Sequence, residues 1–77
     1  MNAGELSELL HARPFSPLVV QMRDGQSYEI RRPGLAIVTR SVVAIGVARA
    51  NGSRLAERIV RYPLAEIISV EPAAAAN

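Results

Sequence analysis

From Leu18 onward the apolar side chains fall on every second residue, and this period of two limits the fold more than any other feature. Leu18, Val20 and Met22 alternate with Val19, Gln21 and Arg23, and further on Tyr28 and Ile30 alternate with Ser27, Glu29 and Arg31. Successive strand side chains point to opposite faces, so the pattern describes sheet with one buried side. Asp24-Gly25 separates the two runs. A two-residue loop there would set Val20 opposite Glu29 and Leu18 opposite Arg31. A three-residue loop, Arg23-Asp24-Gly25, pairs Met22 with Gln26, Val20 with Tyr28 and Leu18 with Ile30. Register follows the buried face, so the longer loop is expected. It puts Gly25 at the left-handed position of a type I turn with a glycine bulge.

The remaining chain continues in short strands. Arg31-Arg32-Pro33-Gly34 interrupts pairing, because proline has no N–H to donate; the chain should bend there and resume as Leu35-Ala36-Ile37-Val38. After a kink at Thr39-Arg40, Ser41 to Ala48 is the most apolar strand, with Val43, Ile45 and Val47 on one face. Its other face, Val42, Ala44 and Gly46, is small enough for a second backbone or subunit to approach closely. Asn51-Gly52-Ser53 is a turn, Leu55 to Tyr62 a further strand, and Pro63 to Glu66 suits one helical turn. Ile67 to Glu71 is the last strand, ended by Pro72, and residues 73–77 read as a frayed tail.

Ahead of the strands, Asn2 to Ala12 reads as a helix. Asn2 caps the start, Glu5 completes a capping box, and Leu6, Leu9 and Leu10 form a narrow apolar stripe. Pro14 ends it. A helix this short is unstable alone, so its leucines must rest on the sheet or on a neighbouring subunit. Phe15, held between Pro14 and Pro17, is placed to plug one end of the core.

The chain of 77 residues is one domain, residues 1–72. A domain of about this size buries only about 60% of its unfolded surface. It has no cysteine and one histidine, His11, so disulfides and zinc knuckles are out of reach, and self-association is the remaining route to further burial. No apolar run is long enough to span a bilayer, and the acidic N-terminus is unlike a secretory signal; no membrane association and a cytoplasmic location are expected.

Chemistry-bearing residues are sparse. One histidine at a helix end does not make a nucleophile's triad, the carboxylates lie on solvated positions, and the five glycines are scattered rather than gathered in a phosphate loop. A non-catalytic protein without cofactor or metal is expected. Every basic residue is arginine and the net charge is +2. Arg31, Arg32 and Arg40 would meet at the kink, where phosphates could bind, although a solvated face is the plainer reading.

The pattern of a helix, strands divided by the Asp24-Gly25 turn, and Arg61-Tyr62-Pro63-Leu64-Ala65 leading into Ile67-Ile68-Ser69-Val70-Glu71-Pro72 resembles the bacterial Sm-like RNA chaperone family. The resemblance implies a mainly β fold: a short N-terminal helix and a five-stranded, strongly bent antiparallel Sm-like or SH3-like barrel. That family has a basic residue and a histidine directly after the tyrosine, where this chain has Pro63 and Leu64, so only Tyr62 matches. The segments Pro14-Phe15-Ser16-Pro17, Asp24-Gly25, Tyr28-Glu29-Ile30 and Arg32-Pro33-Gly34 also resemble a group of short bacterial proteins without known activity.

Two functional expectations follow. The first is a self-associating protein-interaction or structural module. Its subunit contacts would be Val42, Ala44 and Gly46 on the small-faced strand and Ile67, Ile68, Ser69 and Val70 at an edge, with copies of itself or another protein as partner. The alternative is an RNA-binding protein using Arg31, Arg32, Arg40 and Tyr62.

Overall fold

The computed structural model describes residues 1–48 and 56–73. In chain order these form helix α1 (Ala3–Leu10), strands β1 (Leu18–Met22) and β2 (Ser27–Ile30), a 3-10 turn (Pro33–Leu35), β3 (Ala36–Val38), β4 (Val42–Ala48), β5 (Ala56–Pro63), a second 3-10 turn (Leu64–Glu66) and β6 (Ile67–Pro72). The expected Asn51-Gly52-Ser53 turn and residues 74–77 lie outside the described residues. Ala73 is tied down: its N–H donates to the Pro17 carbonyl at 2.8 Å.

The strands form two antiparallel three-stranded sheets, ordered β2-β1-β6 and β3-β4-β5. This corrects the expected closed barrel of five strands. Pro33 has no N–H for a ladder, and residues Pro33–Leu35 wind into a 3-10 turn closed by the Leu35 N–H on the Arg32 carbonyl, 3.0 Å. The expected bent strand is therefore broken into β2 and β3, each paired in a different sheet. The turn Leu64–Glu66 likewise carries the chain from one sheet to the other between β5 and β6.

The first hairpin has the register argued from its apolar face: Leu18 lies opposite Ile30 and Val20 opposite Tyr28. The Met22 N–H donates to the Gln26 carbonyl at 2.9 Å, the Gly25 N–H to the Met22 carbonyl at 3.1 Å, and Gly25 has φ 90°. Asp24 Oδ1 accepts the Gln26 N–H at 2.9 Å and fixes the turn.

Leu18, Val20, Met22, Ile30, Val43, Ile45, Leu64 and Ile67 are buried between the sheets, and Leu6 and Leu10 of α1 complete the core. The helix thus packs on its own sheets. The capping box is present: the Glu5 N–H donates to Asn2 Oδ1 at 2.8 Å, and the Asn2 N–H to Glu5 Oε1 at 3.3 Å. The helix stops at Leu10, short of Ala12, and Leu9 is 38% exposed. The i, i+4 pair Leu6 and Leu10 is buried in the core and Ala3 packs against it, while Leu9 turns aside. Phe15 is half-buried against the core.

The β1–β6 ladder has an irregularity that sequence alternation did not anticipate. Val70 pairs with Val20 and Ile67 with Met22, with the register shifting between Gln21 and Met22. Ile67 and Val70 are three residues apart, yet both pack on the core. The extra residue of a bulge permits this, and Ile68 is left exposed.

Candidate functional site

Two constellations stand apart from ordinary packing. The first is polar. Tyr62 comes from β5, opposite Val43, and Tyr28 from β2, opposite Val20, so each stands at the rim of its own sheet. The Tyr62 hydroxyl donates to Asp24 Oδ2 at 2.7 Å and lies 2.8 Å from the Tyr28 hydroxyl. With the Tyr62 proton on Asp24, Tyr28 is the donor in that second bond. The rings meet at a tilt of 54° with centroids 5.7 Å apart, a favourable edge-inclined arrangement. The network bridges the two sheets. Hydrogen bonds from the Gln26 N–H first and Tyr62 second hold the Asp24 carboxyl below its ordinary value. The bonds to Tyr28 first and Asp24 second hold the Tyr62 phenol above its own, because the network uses the neutral hydroxyl.

The second constellation is apolar and lies on the outer face of the β3-β4-β5 sheet. Ile37 lies opposite Ala44, and Ile59 opposite Gly46. The isoleucines flank small residues and are 66% and 64% exposed. Between them is a shallow hollow of about 140 Å³, lined by Leu35, Ile37, Ala44, Gly46 and Ile59 among others. Gly46 keeps the surface close here: a Cβ on it would lie 3.0 Å from the Ala56 Cβ, a tight contact.

The expected nucleic-acid residues are placed variously. Arg31 follows β2 and pairs with Glu29 at 3.3 Å, both side chains exposed. Arg32 caps the first 3-10 turn and is half-buried, while Arg40 is exposed in the turn between β3 and β4. Arg31 and Arg32 thus precede β3 and Arg40 follows it. Tyr62 is half-buried, packed on the core and bonded to Asp24 and Tyr28. Of the expected subunit contacts, Val42, Ala44 and Gly46 lie half-buried on the central strand, and Ile68 is exposed. Ile67 is a core residue and Val70 packs inward beside it, so what β6 offers at its edge is backbone. β6 is an edge of its sheet, as expected of a strand that adds to another.

Ile37 and Ile59 were not singled out from the sequence. The signal was present: Ile59 shares its parity with Arg61, the parity opposite to Val60 and Tyr62, so an isoleucine stands where a solvated residue belongs. Asp24 had been read only as a turn residue.

Among the described residues no group of three or more His, Cys, Asp or Glu is placed to hold a metal ion. No described helix is long and apolar enough to cross a membrane. No family model, curated protein or solved structure matches the chain.

Proposed function

We propose that the chain is a small non-catalytic interaction module of Sm-like or SH3-like type that works by associating with copies of itself. The observation that carries this reading is the outer face of β3-β4-β5, where Ile37 and Ile59 project into solvent on either side of Ala44 and Gly46. Contiguous apolar surface on a small protein marks an interaction site. The order of elements, helix, meander and 3-10 turn before the last strand, supports the Sm-like or SH3-like class. The polar groups best placed for chemistry, Tyr28, Tyr62 and Asp24, are bonded to one another and hold the two sheets together. RNA binding has less support, since Tyr62 is committed to that network and Arg31 to Glu29.

Sedimentation equilibrium over a dilution series tests the reading. The average mass should rise with concentration. A monomer at every concentration, or low-salt retention of single-stranded RNA that Arg31→Ala and Arg40→Ala abolish, would reverse it.

A further inference from the structure

We infer that the open edge of β3 takes up an extended peptide of another protein as a further strand of the β3-β4-β5 sheet, the peptide carrying a carboxylate on either side of a short β-branched run. This goes beyond the self-association proposed above and does not depend on it. The backbone carries the inference. The Thr39 N–H donates to the Val42 carbonyl at 2.8 Å, so Thr39 and Val42 form a bonded pair. Bonded and non-bonded pairs alternate along an antiparallel ladder. Ile37 and Ala44 are therefore bonded, whereas Val38 opposite Val43 and Ala36 opposite Ile45 are not. Residues of a non-bonded pair turn their N–H and carbonyl away from the partner strand. Since β3 is the edge of its sheet, these groups of Ala36 and Val38 point outward. The Ala36 N–H is used locally, donating to the Pro33 carbonyl to close the 3-10 turn. The Ala36 carbonyl and both backbone groups of Val38 remain, and among the described residues no strand pairs with that side of β3.

The surroundings have the shape and charge for such a strand. The edge opens on a groove of about 270 Å³, lined by Ser7, Leu10 and His11 on one side and by Pro33 and β3 on the other. A second groove of about 310 Å³, lined by Arg13 and Phe15 among others, shares Leu10, His11 and Pro33 with the first. Together they make one trough that runs along β3 and on past Pro33. A peptide laid in it, in either direction, accepts from the Val38 N–H and donates to the Val38 and Ala36 carbonyls. Its alternate side chains then lie beside the exposed Ile37 and toward α1. No Asp or Glu lines either groove. Arg13 stands at the far end of the trough, and Arg40 is exposed in the turn that follows β3. Both ends are thus basic, which selects a peptide with an acid at each end.

The probe is a capped synthetic peptide, Asp-Ser-Val-Thr-Val-Ser-Asp, whose symmetric order serves either direction. It is added to a dilute solution of the full chain, and amide exchange is followed residue by residue. The peptide should slow exchange of the Val38 N–H about tenfold or more. The same peptide methylated on every backbone nitrogen should not. Replacing both of its aspartates by asparagine should weaken binding about tenfold, roughly threefold for each exposed ion pair. Arg13→Gln and Arg40→Gln, both at exposed positions, should keep the wild-type circular dichroism and each shrink that preference about threefold. Equal binding of the methylated peptide, or no effect on Val38 up to millimolar peptide, overturns strand addition. Equal affinity for the asparagine peptide overturns the acidic partner. Slowing of Val38 on concentrating the chain without peptide gives the edge to a second copy and overturns the proposal. A chain that stays monomeric in sedimentation yet protects Val38 with the peptide removes the self-association reading and leaves this one standing.

Discussion

At the scale of single residues, the junction between the sheets is decided by Tyr62. Its hydroxyl serves Asp24 as donor and Tyr28 as acceptor, so Tyr62→Phe cancels both bonds and keeps the ring contact. The variant should have a lower urea midpoint at neutral pH, and its Asp24 should titrate closer to the ordinary carboxylate value. That return is partial, because the Gln26 N–H, the larger cause of the depression, remains. The pH dependence follows from the signs. Asp24 has a depressed folded-state pKa, so its contribution is present above the ordinary value of 3.8 and is lost as pH falls through the folded value. Tyr62 has a raised one, so its contribution is present below 10.0 and is lost as pH rises through the folded value. The gap in midpoint between wild type and Tyr62→Phe should therefore narrow on acidification below 3.8. A gap independent of pH would mean that the Asp24 carboxylate is no part of the junction.

At the scale of elements, caps and turns behave as local rules require, whereas the joining of strands depends on the whole chain. Asn2→Ala removes the side chain that accepts the Glu5 N–H and should cost about 1 kcal/mol in chemical denaturation. Gly25→Ala should cost roughly the same. A Cβ at Gly25 meets nothing within 4 Å, so its cost is backbone strain at φ 90° alone. These features were legible because their causes lie within a few residues: the capping box in Asn2 and Glu5, the hairpin register in the faces of Leu18, Val20, Tyr28 and Ile30. The division into two sheets was not. Pro33 announces a break in pairing but does not say with which strand each half pairs. That Ile67 and Val70 both face the core was not legible for a related reason: alternation assigns faces only while the ladder is regular, and the bulge at Ile68 shifts the parity. The tyrosine network, too, joins residues 38 positions apart and leaves no local trace.

At the scale of the whole molecule, the balance between a small core and an uncovered face governs behaviour. Leu6 is fully buried, and Leu6→Ala should cost about 2–5 kcal/mol. A domain of this size commands roughly 3–5 kcal/mol in total, so that variant should melt broadly or fail to fold as an isolated chain. Association adds to stability by mass action. The thermal midpoint of the wild type should thus rise with protein concentration, and that dependence should vanish in Ile37→Asp while the midpoint at high dilution stays unchanged. A midpoint insensitive to concentration would place no weight on the outer face.

Amide chemical shifts recorded across a dilution series test most directly whether this face is the one that becomes covered. Resonances of Ile37, Ala44 and Ile59 should move together with concentration, while those of Asp24, Gly25 and Ser27, in the first hairpin, hold still. Shifts confined to β6, or none at all from dilute to concentrated solution, would contradict it.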